Sequence, residues 1–203
     1  MPQNPLQHKN LPPEEIFQAI SNLLPTVTAE ELVGLGPDLA ILIPELRPML
    51  GFDQHSPHHA YDLFRHTAYV VEHVPADLPL RWAALLHDTG KVPTFTQDAT
   101  GRGHFYGHAP ESARMADTIL LRLHAPDALR QRVVTLIELH MTRIKPDVEH
   151  VSPLLNRIGM EVLEQLLLLQ EADMASKGVD EPNDFSQFPR IRSAALALLK
   201  NKT

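Results

Sequence analysis

Apolar side chains recur along most of this chain at intervals of three and four, the spacing that lines one face of an α-helix. Ile16, Phe17, Ile20, Leu23 and Leu24 form the first such face. Pro12-Pro13-Glu14-Glu15 precedes it, placing proline and acids where a first helical turn wants them. Thr28-Ala29-Glu30-Glu31 spells a capping box and predicts a short helix that stops at Gly34. Leu39 to Leu50 is apolar but broken by Pro44 and Pro48, so short helical pieces are expected there, followed by a turn-rich loop over 51–57.

The helical pattern resumes from His58 to His73, where Tyr61, Leu63, Phe64, Ala68, Val70 and Val71 make a core stripe with His66 near its middle. A further helix is predicted over Leu80 to Leu86, ending in His87-Asp88 with Gly90 as its breaker. Gln97 to Gly107 holds three glycines and reads as a loop or short hairpin. Helices follow from about Ala109 to Leu123 and from Pro126 to about Met141. Pro153 opens a long one that reaches Asp173, and Ile191 to Leu199 is the last. Alternating β-branched runs are few and no fixed repeat is present, so the predicted fold class is all-α.

At 203 residues the chain can bury a substantial core. It has no cysteine, which excludes disulfides and thiolate zinc sites. No run of 18 apolar residues is present and residues 1–10 are polar, so they are expected to be disordered, without a membrane span or secretory signal. A soluble cytoplasmic protein is the expectation. The net charge of −7 argues against a dominant nucleic-acid backbone binder. A small or end-on phosphate remains compatible, because a bound cation would supply local positive charge.

The 12 histidines change the picture. The apolar run Ala83-Ala84-Leu85-Leu86 ends abruptly in His87-Asp88. An imidazole and a carboxylate at the end of a core helix are costly to bury unless something binds them. A divalent metal does so, through nitrogen from His and charged oxygen from Asp. His66 lies before the pair, and His108, His140 and Asp173 lie after it. Plainer readings exist for each: a hydrogen-bonded core histidine for His66, a helix-end cap for His87-Asp88, a solvated face for Asp173 beside Glu171, and a helix-dipole partner for His140.

The order His66, His87-Asp88, Asp173 resembles the HD-domain superfamily of metal-dependent phosphohydrolases. Four stretches carry a closer likeness: Ile43-Pro44-Glu45-Leu46, residues 54–67 (Gln54-His55-Ser56 through His66-Thr67), residues 80–91 (Leu80-Arg81-Trp82 through Gly90-Lys91), and His104-Phe105-Tyr106-Gly107-His108. Together they resemble the C-terminal half of bacterial CCA-adding tRNA nucleotidyltransferases that carry an HD domain, most strongly over residues 40–145. Those enzymes also have a head with a Gly-Ser pair and an Asp-x-Asp motif. This sequence contains neither, so CCA addition by this chain alone is not expected. The resemblance implies an HD-domain helical bundle over residues 51–180, a short N-terminal helical extension over 1–50, and a C-terminal helix over 181–203 packing on the bundle.

The resemblance further implies a divalent metal cofactor (Mn, Ni, Co, Fe, Zn or Mg), one or two ions per chain. His66, His87, Asp88 and Asp173 would form the first site, and His108 and His140 match the extra histidines of members with a second. Asp88 would bridge, and two ions about 3.5–4 Å apart would clamp a phosphate. Asp88, Lys91 and His108 are the expected catalytic residues. Lys91 contacts phosphate or stabilises charge on the leaving oxygen. His59, His104 and Arg114, with Lys91, are the candidates for substrate binding. The implied function is hydrolysis of a phosphomonoester or phosphodiester of a nucleotide or nucleic-acid end, with a tRNA end among the candidate partners. A signalling nucleotide such as guanosine tetraphosphate or a dinucleoside polyphosphate fits the same spacing. The alternative from another class is a helical tRNA- or protein-binding module, one half of a split enzyme, with a structural metal or none.

Overall fold

Burial of one short helix organises the chain. Helix α4 (Leu78–Leu86) is capped by Asp77, whose carboxylate accepts from Leu80 N at 3.0 Å, and its residues from Leu80 to Leu86 are all buried. A helix that is apolar all round must be enclosed on every side, and the other elements do this. The computed structural model describes residues 11–56, 60–178 and 184–200. Among them the chain is helical throughout, apart from a two-stranded antiparallel hairpin of β1 (Thr96–Gln97) and β2 (Gly103–His104). The all-α expectation holds. Residues 1–10, expected to be disordered, lie outside the described residues.

Helix α1 (Pro13–Leu23) packs Phe17 flat on Trp82 of α4, ring centroids 5.6 Å apart and planes within 10°. Trp82 Nε1 donates to Ser21 Oγ at 3.0 Å, and the buried Arg81 guanidinium donates to Leu24 O at 3.1 Å and Pro75 O at 3.1 Å. The N-terminal helix is thus pinned to the one that ends at His87, and their apolar residues belong to one continuous core. Helix α2 (Ala29–Leu42) opens with the predicted capping box: Thr28 N donates to Glu31 Oε2 at 2.9 Å and Glu31 N to Thr28 Oγ1 at 3.3 Å. It does not stop at Gly34. It continues through Gly36 and Pro37 because Leu32, Leu39, Ala40 and Leu42 fall on one buried face, and packing of such a face outweighs poor local propensity. A 3-10 turn over Pro44–Met49 then accommodates both prolines.

Helix α3 (Leu63–His73) begins later than the apolar pattern suggested. Asp62 caps it, accepting from Phe64 N and Arg65 N at 3.0 Å each, which ends any helix running in from His58. Helices α5 (His108–Arg122) and α6 (Asp127–Leu139) form an antiparallel pair beside α4. Helix α7 (Val148–Ala175) starts five residues before the expected Pro153, because the Asp147 carboxylate accepts from His150 N. It is two helical segments joined at Gly159, where φ is 76° and ψ is 168°, a conformation open in practice only to glycine. Helix α8 (Gln187–Lys200) lies against α7, and Arg192 forks onto Glu164 and Glu171.

Gly90 does not end α4, which already stops at Leu86. Its role is spatial. Gly90 N donates to Ser112 Oγ at 2.8 Å, and a Cβ there would lie 2.5 Å from His108 O and 2.6 Å from Ser112 N. The turn after α4 therefore touches the backbone of α5. A Gly90→Ala substitution forces α5 outward and costs about 1–3 kcal/mol. Gly34→Ala, with nothing within 4 Å of the added methyl, stabilises by about 0.5–1 kcal/mol through helix propensity alone. Urea denaturation of the two variants checks the opposite signs.

Candidate metal centre

Four helix ends meet at Asp88. His87 caps the C-terminus of α4, His108 is the first residue of α5, His140 caps the C-terminus of α6, and Asp173 lies in the last turn of α7. His66 comes from the first turn of α3. The sequence separates these residues by up to 107 positions, from His66 to Asp173, and the fold gathers them. His66, His87, Asp88, His108 and His140 are all buried, and Asp173 keeps about 20% of its side chain exposed toward a cleft.

Each histidine is held by its Nδ1. Three of them donate to the carbonyl three residues back: His87 to Ala84 O at 2.8 Å, His108 to Phe105 O at 2.9 Å and His140 to Ile137 O at 2.6 Å. His66 Nδ1 donates to Ser176 O at 3.0 Å, just beyond α7. A carbonyl only accepts, so Nδ1 carries the proton and Nε2 of each neutral ring is a lone pair. These lone pairs converge on one carboxylate. Asp88 Oδ2 is 3.2 Å from His87 Nε2 and 3.6 Å from His66 Nε2, while Oδ1 is 3.5 Å from His108 Nε2 and 3.9 Å from His140 Nε2. The rings of His108 and His140 bring their Nε2 atoms to 3.2 Å.

Acceptors facing acceptors in a buried pocket repel: Asp88 Oδ1 and His87 Nε2 make no hydrogen bond, and Asp88 Oδ2 meets only the Lys91 ammonium as a cation. Such orphaned groups are expensive unless a cation joins them. The donor set fits one. Ligands about 2.0–2.2 Å from a first-row ion stand roughly 3–3.5 Å from one another, close to the spacings here. Two groups qualify as potential metal sites, His66 with His87 and Asp88, and Asp88 with His108 and His140. Asp173 Oδ1 borders the first group, 3.0 Å from His66 Nε2 and 4.0 Å from His87 Nε2. The cluster can therefore hold a divalent metal.

Where a ring is instead protonated at Nε2, its charge and the neighbouring carboxylates stabilise one another. Burial alone would raise the carboxyl of Asp88, but the charges of His87 and Lys91 hold it well below the usual range. Asp173 is likewise held low against its burial, chiefly by His66, whose Nε2 lies 3.0 Å from its Oδ1. Burial disfavours a charged His87, yet the adjoining Asp88 carboxylate outweighs it and raises that imidazole. His140, buried and beside His87, is pushed down to about 4. His108 is also lowered, by burial first.

Lys91 Nζ lies 2.8 Å from Asp88 Oδ2 as an ion pair and donates to Gln54 Oε1 at 2.9 Å. The ammonium also sits 5.4 Å from the centroid of the Phe105 ring. A cleft of about 290 Å³ opens above, lined by Asp88, Lys91, His104, Tyr106, His108 and Asp173 among others. A second cleft of about 360 Å³ lies between α7, α8 and the end of α6, and shares Met141, Asp173 and Lys177 with the first. His104 is thus brought to the site. Arg114 is not: its guanidinium forks onto Glu111 at 3.0 and 2.6 Å on the exposed face of α5. His59 lies outside the described residues.

Sequence reasoning missed the supports. Gln54 holds Lys91, Ser176 holds His66, and Gln170 Nε2 donates to His140 O and Thr142 O at 2.9 Å each, tying α7 to the end of α6. Gln54 stood inside a motif-bearing stretch and its type was a usable signal. Ser176 acts through its backbone, so its identity carried none.

Comparison with known proteins agrees with this geometry. The family described as HD domain matches residues 59–176, a segment that contains every residue of the cluster. The A-adding tRNA nucleotidyltransferase of Deinococcus radiodurans is 35% identical over 164 residues, which is 78% of this chain and 37% of that protein. The Multifunctional CCA protein of Azoarcus sp. is 33% identical over 171 residues, 79% of this chain and 41% of that one. The protein of the same name from Nitrosococcus oceani is 29% identical over 193 residues, 89% and 46% respectively. The chain spans less than half the length of these curated relatives. With more than half of its residues matched and the whole histidine–aspartate cluster inside the match, the chain belongs to the HD domain family.

Proposed function

We propose that this chain is a metal-dependent phosphohydrolase acting on a phosphomonoester or phosphodiester of a nucleotide or nucleic-acid end. The observation that carries the reading is the tautomer lock: four Nδ1–H bonds to backbone carbonyls turn four Nε2 lone pairs onto Asp88. In this reading His66, His87, Asp88 and Asp173 would hold one divalent ion, and Asp88, His108 and His140 would hold a second. Nitrogen and oxygen ligands of this kind suit Mn, Fe, Co, Ni or Zn, and Mg less well. A bound ion supplies Lewis acidity, drawing charge from a phosphoryl oxygen and lowering the pKa of water beside it.

The chain's own residues do the rest. Asp88 keeps its charge beside the Lys91 ammonium, 2.8 Å from its Oδ2, and would remain a ligand across the physiological pH range. Lys91 places an ammonium on the cleft floor, fixed between Asp88 and Gln54. There it meets a phosphate oxygen as a point charge and stabilises negative charge developing on the leaving oxygen. Phe105 lies against Lys91 and keeps water from that side of the ammonium. His108 joins the ion cluster to the cleft, since it belongs to both. His104 lies on the substrate side, whereas Arg114 would have to leave Glu111 to take part. The relatives' names, an A-adding tRNA nucleotidyltransferase and CCA proteins, make a tRNA end one substrate to assay. Among the described residues no helix is long and apolar enough to cross a membrane.

Protein purified without chelator should carry stoichiometric metal and turn over simple phosphate esters. His87→Ala combined with Asp88→Ala should lose both, measured by elemental analysis and phosphate release on the same samples. A folded protein with neither metal nor turnover, even after reconstitution with Mn, Ni, Co or Zn, would overturn the hydrolase reading in favour of a binding module. His108→Ala and His140→Ala should each lower the metal content from two ions to one while His87 and Asp88 keep theirs. Lys91→Gln should retain the metal and lower kcat/KM by about a hundredfold.

A further inference from the structure

The turn that leads from the hairpin into α5, beside the cleft, displays an aromatic surface with no structural use. Tyr106 is 79% exposed, although its ring lies parallel to that of His104, with centroids 5.3 Å apart and planes within 6°. One face of the tyrosine is covered by the histidine, so the exposed area belongs to the edge and the opposite face. Burying a tyrosine ring is favourable, and this chain leaves it in water at the mouth of the cleft whose floor is Asp88, Lys91 and His108.

The surface beneath it is rigid. His104 Nε2 donates to Asp98 Oδ2 at 2.7 Å, and His104 Nδ1 lies 3.4 Å from the Tyr106 hydroxyl, so both ring nitrogens are engaged. Asp98 is itself fixed, its other oxygen accepting from Thr100 N at 2.8 Å, Thr100 Oγ1 at 2.6 Å and Arg102 N at 3.2 Å. These bonds hold its carboxyl well below the usual range. The loop between the strands thus serves to hold one imidazole flat, and that imidazole holds the tyrosine. A flat, pre-ordered aromatic face beside a phosphate site matches the geometry on which proteins stack nucleobases.

We propose that Tyr106, laid on His104 and anchored through Asp98, is a stacking platform for a nucleobase, so that the ester admitted to this cleft is a nucleoside phosphate. The inference rests on the phosphohydrolase reading for the position of the phosphate. It adds the element that selects among phosphate esters. A sugar phosphate, a lipid phosphate or inorganic polyphosphate has no group to lay on this face.

The test compares adenosine 3′- and 5′-monophosphates with ribose 5-phosphate, which has no base. Binding is measured by calorimetry on the protein as purified and after chelation. The tighter of the two nucleotides should bind about tenfold or more tightly than ribose 5-phosphate. Tyr106→Leu should remove that difference and leave ribose 5-phosphate binding unchanged, whereas Tyr106→Phe should keep it. The exposed position makes all three proteins equally stable, which thermal melting verifies. Equal affinity for nucleotide and sugar phosphate, or base selectivity that survives Tyr106→Leu, overturns the platform. Failure of the hydrolase reading shows elsewhere, as absent turnover of every ester by the metal-loaded protein. Base selectivity that depends on Tyr106 would then still establish the platform as a binding site.

Discussion

A buried carboxylate surrounded by lone pairs is the constraint on which this fold turns. Asp88 sits at the end of a helix enclosed on all sides, where an unpaired negative charge costs several kcal/mol. The protein surrounds it with four histidines whose N–H groups point away, toward backbone carbonyls. In hydrogen-bonding terms the centre is frustrated, with acceptors packed against acceptors. It is satisfied only by a positive charge. Lys91 supplies one from the cleft side, and the geometry of the nitrogens leaves room for more.

Helix termini make this economical. The last carbonyls of a helix lack partners within the helix. At His87 and His140 the imidazole Nδ1 fills that need and is oriented by doing so. A single local bond therefore caps the helix, sets the tautomer and aims Nε2. The remaining precision comes from packing between helices. Trp82 and Arg81 fasten α4 to α1, the contact of Gly90 with Ser112 sets the distance to α5, and Gln170 fastens α6 to α7.

Much of this was legible in the sequence. An apolar run ending in His87-Asp88 is weak evidence by itself, since a helix end often carries histidine, and it was the order of His66 and Asp173 around it that pointed to a cluster. What could not be read depended on contacts between distant segments. Helix α2 passes through Gly34, Gly36 and Pro37 because its buried face is worth more than their propensity. Gly90 looked like a helix breaker but is a spacer between backbones, a role visible only once α5 is in place. The turn at Gly159 inside α7 was hidden because its two halves share one apolar stripe. Arg114 looked like a phosphate ligand by type, and its distance from the cluster is set by which face of α5 is turned outward. Tyr106 differs again, since its exposure, not its identity, marks it out.

The three-residue spacing between three of the four locked histidines and their carbonyls has a consequence for how such a chain can change. His87 depends on Ala84, His108 on Phe105 and His140 on Ile137, and none depends on the length of chain joining one pair to the next. Every local unit is a cassette of four residues that carries its own aiming device. Insertions or deletions in the connecting loops leave the cassettes intact, so loops that shape the cleft can be lengthened, shortened or exchanged while the centre keeps its form. The hairpin bearing His104 lies in one of these variable stretches, between the cassettes that end at His87 and begin at Phe105, whereas Tyr106 sits inside the second cassette. In a chain built this way substrate preference is free to drift, while the chemistry beneath it stays fixed.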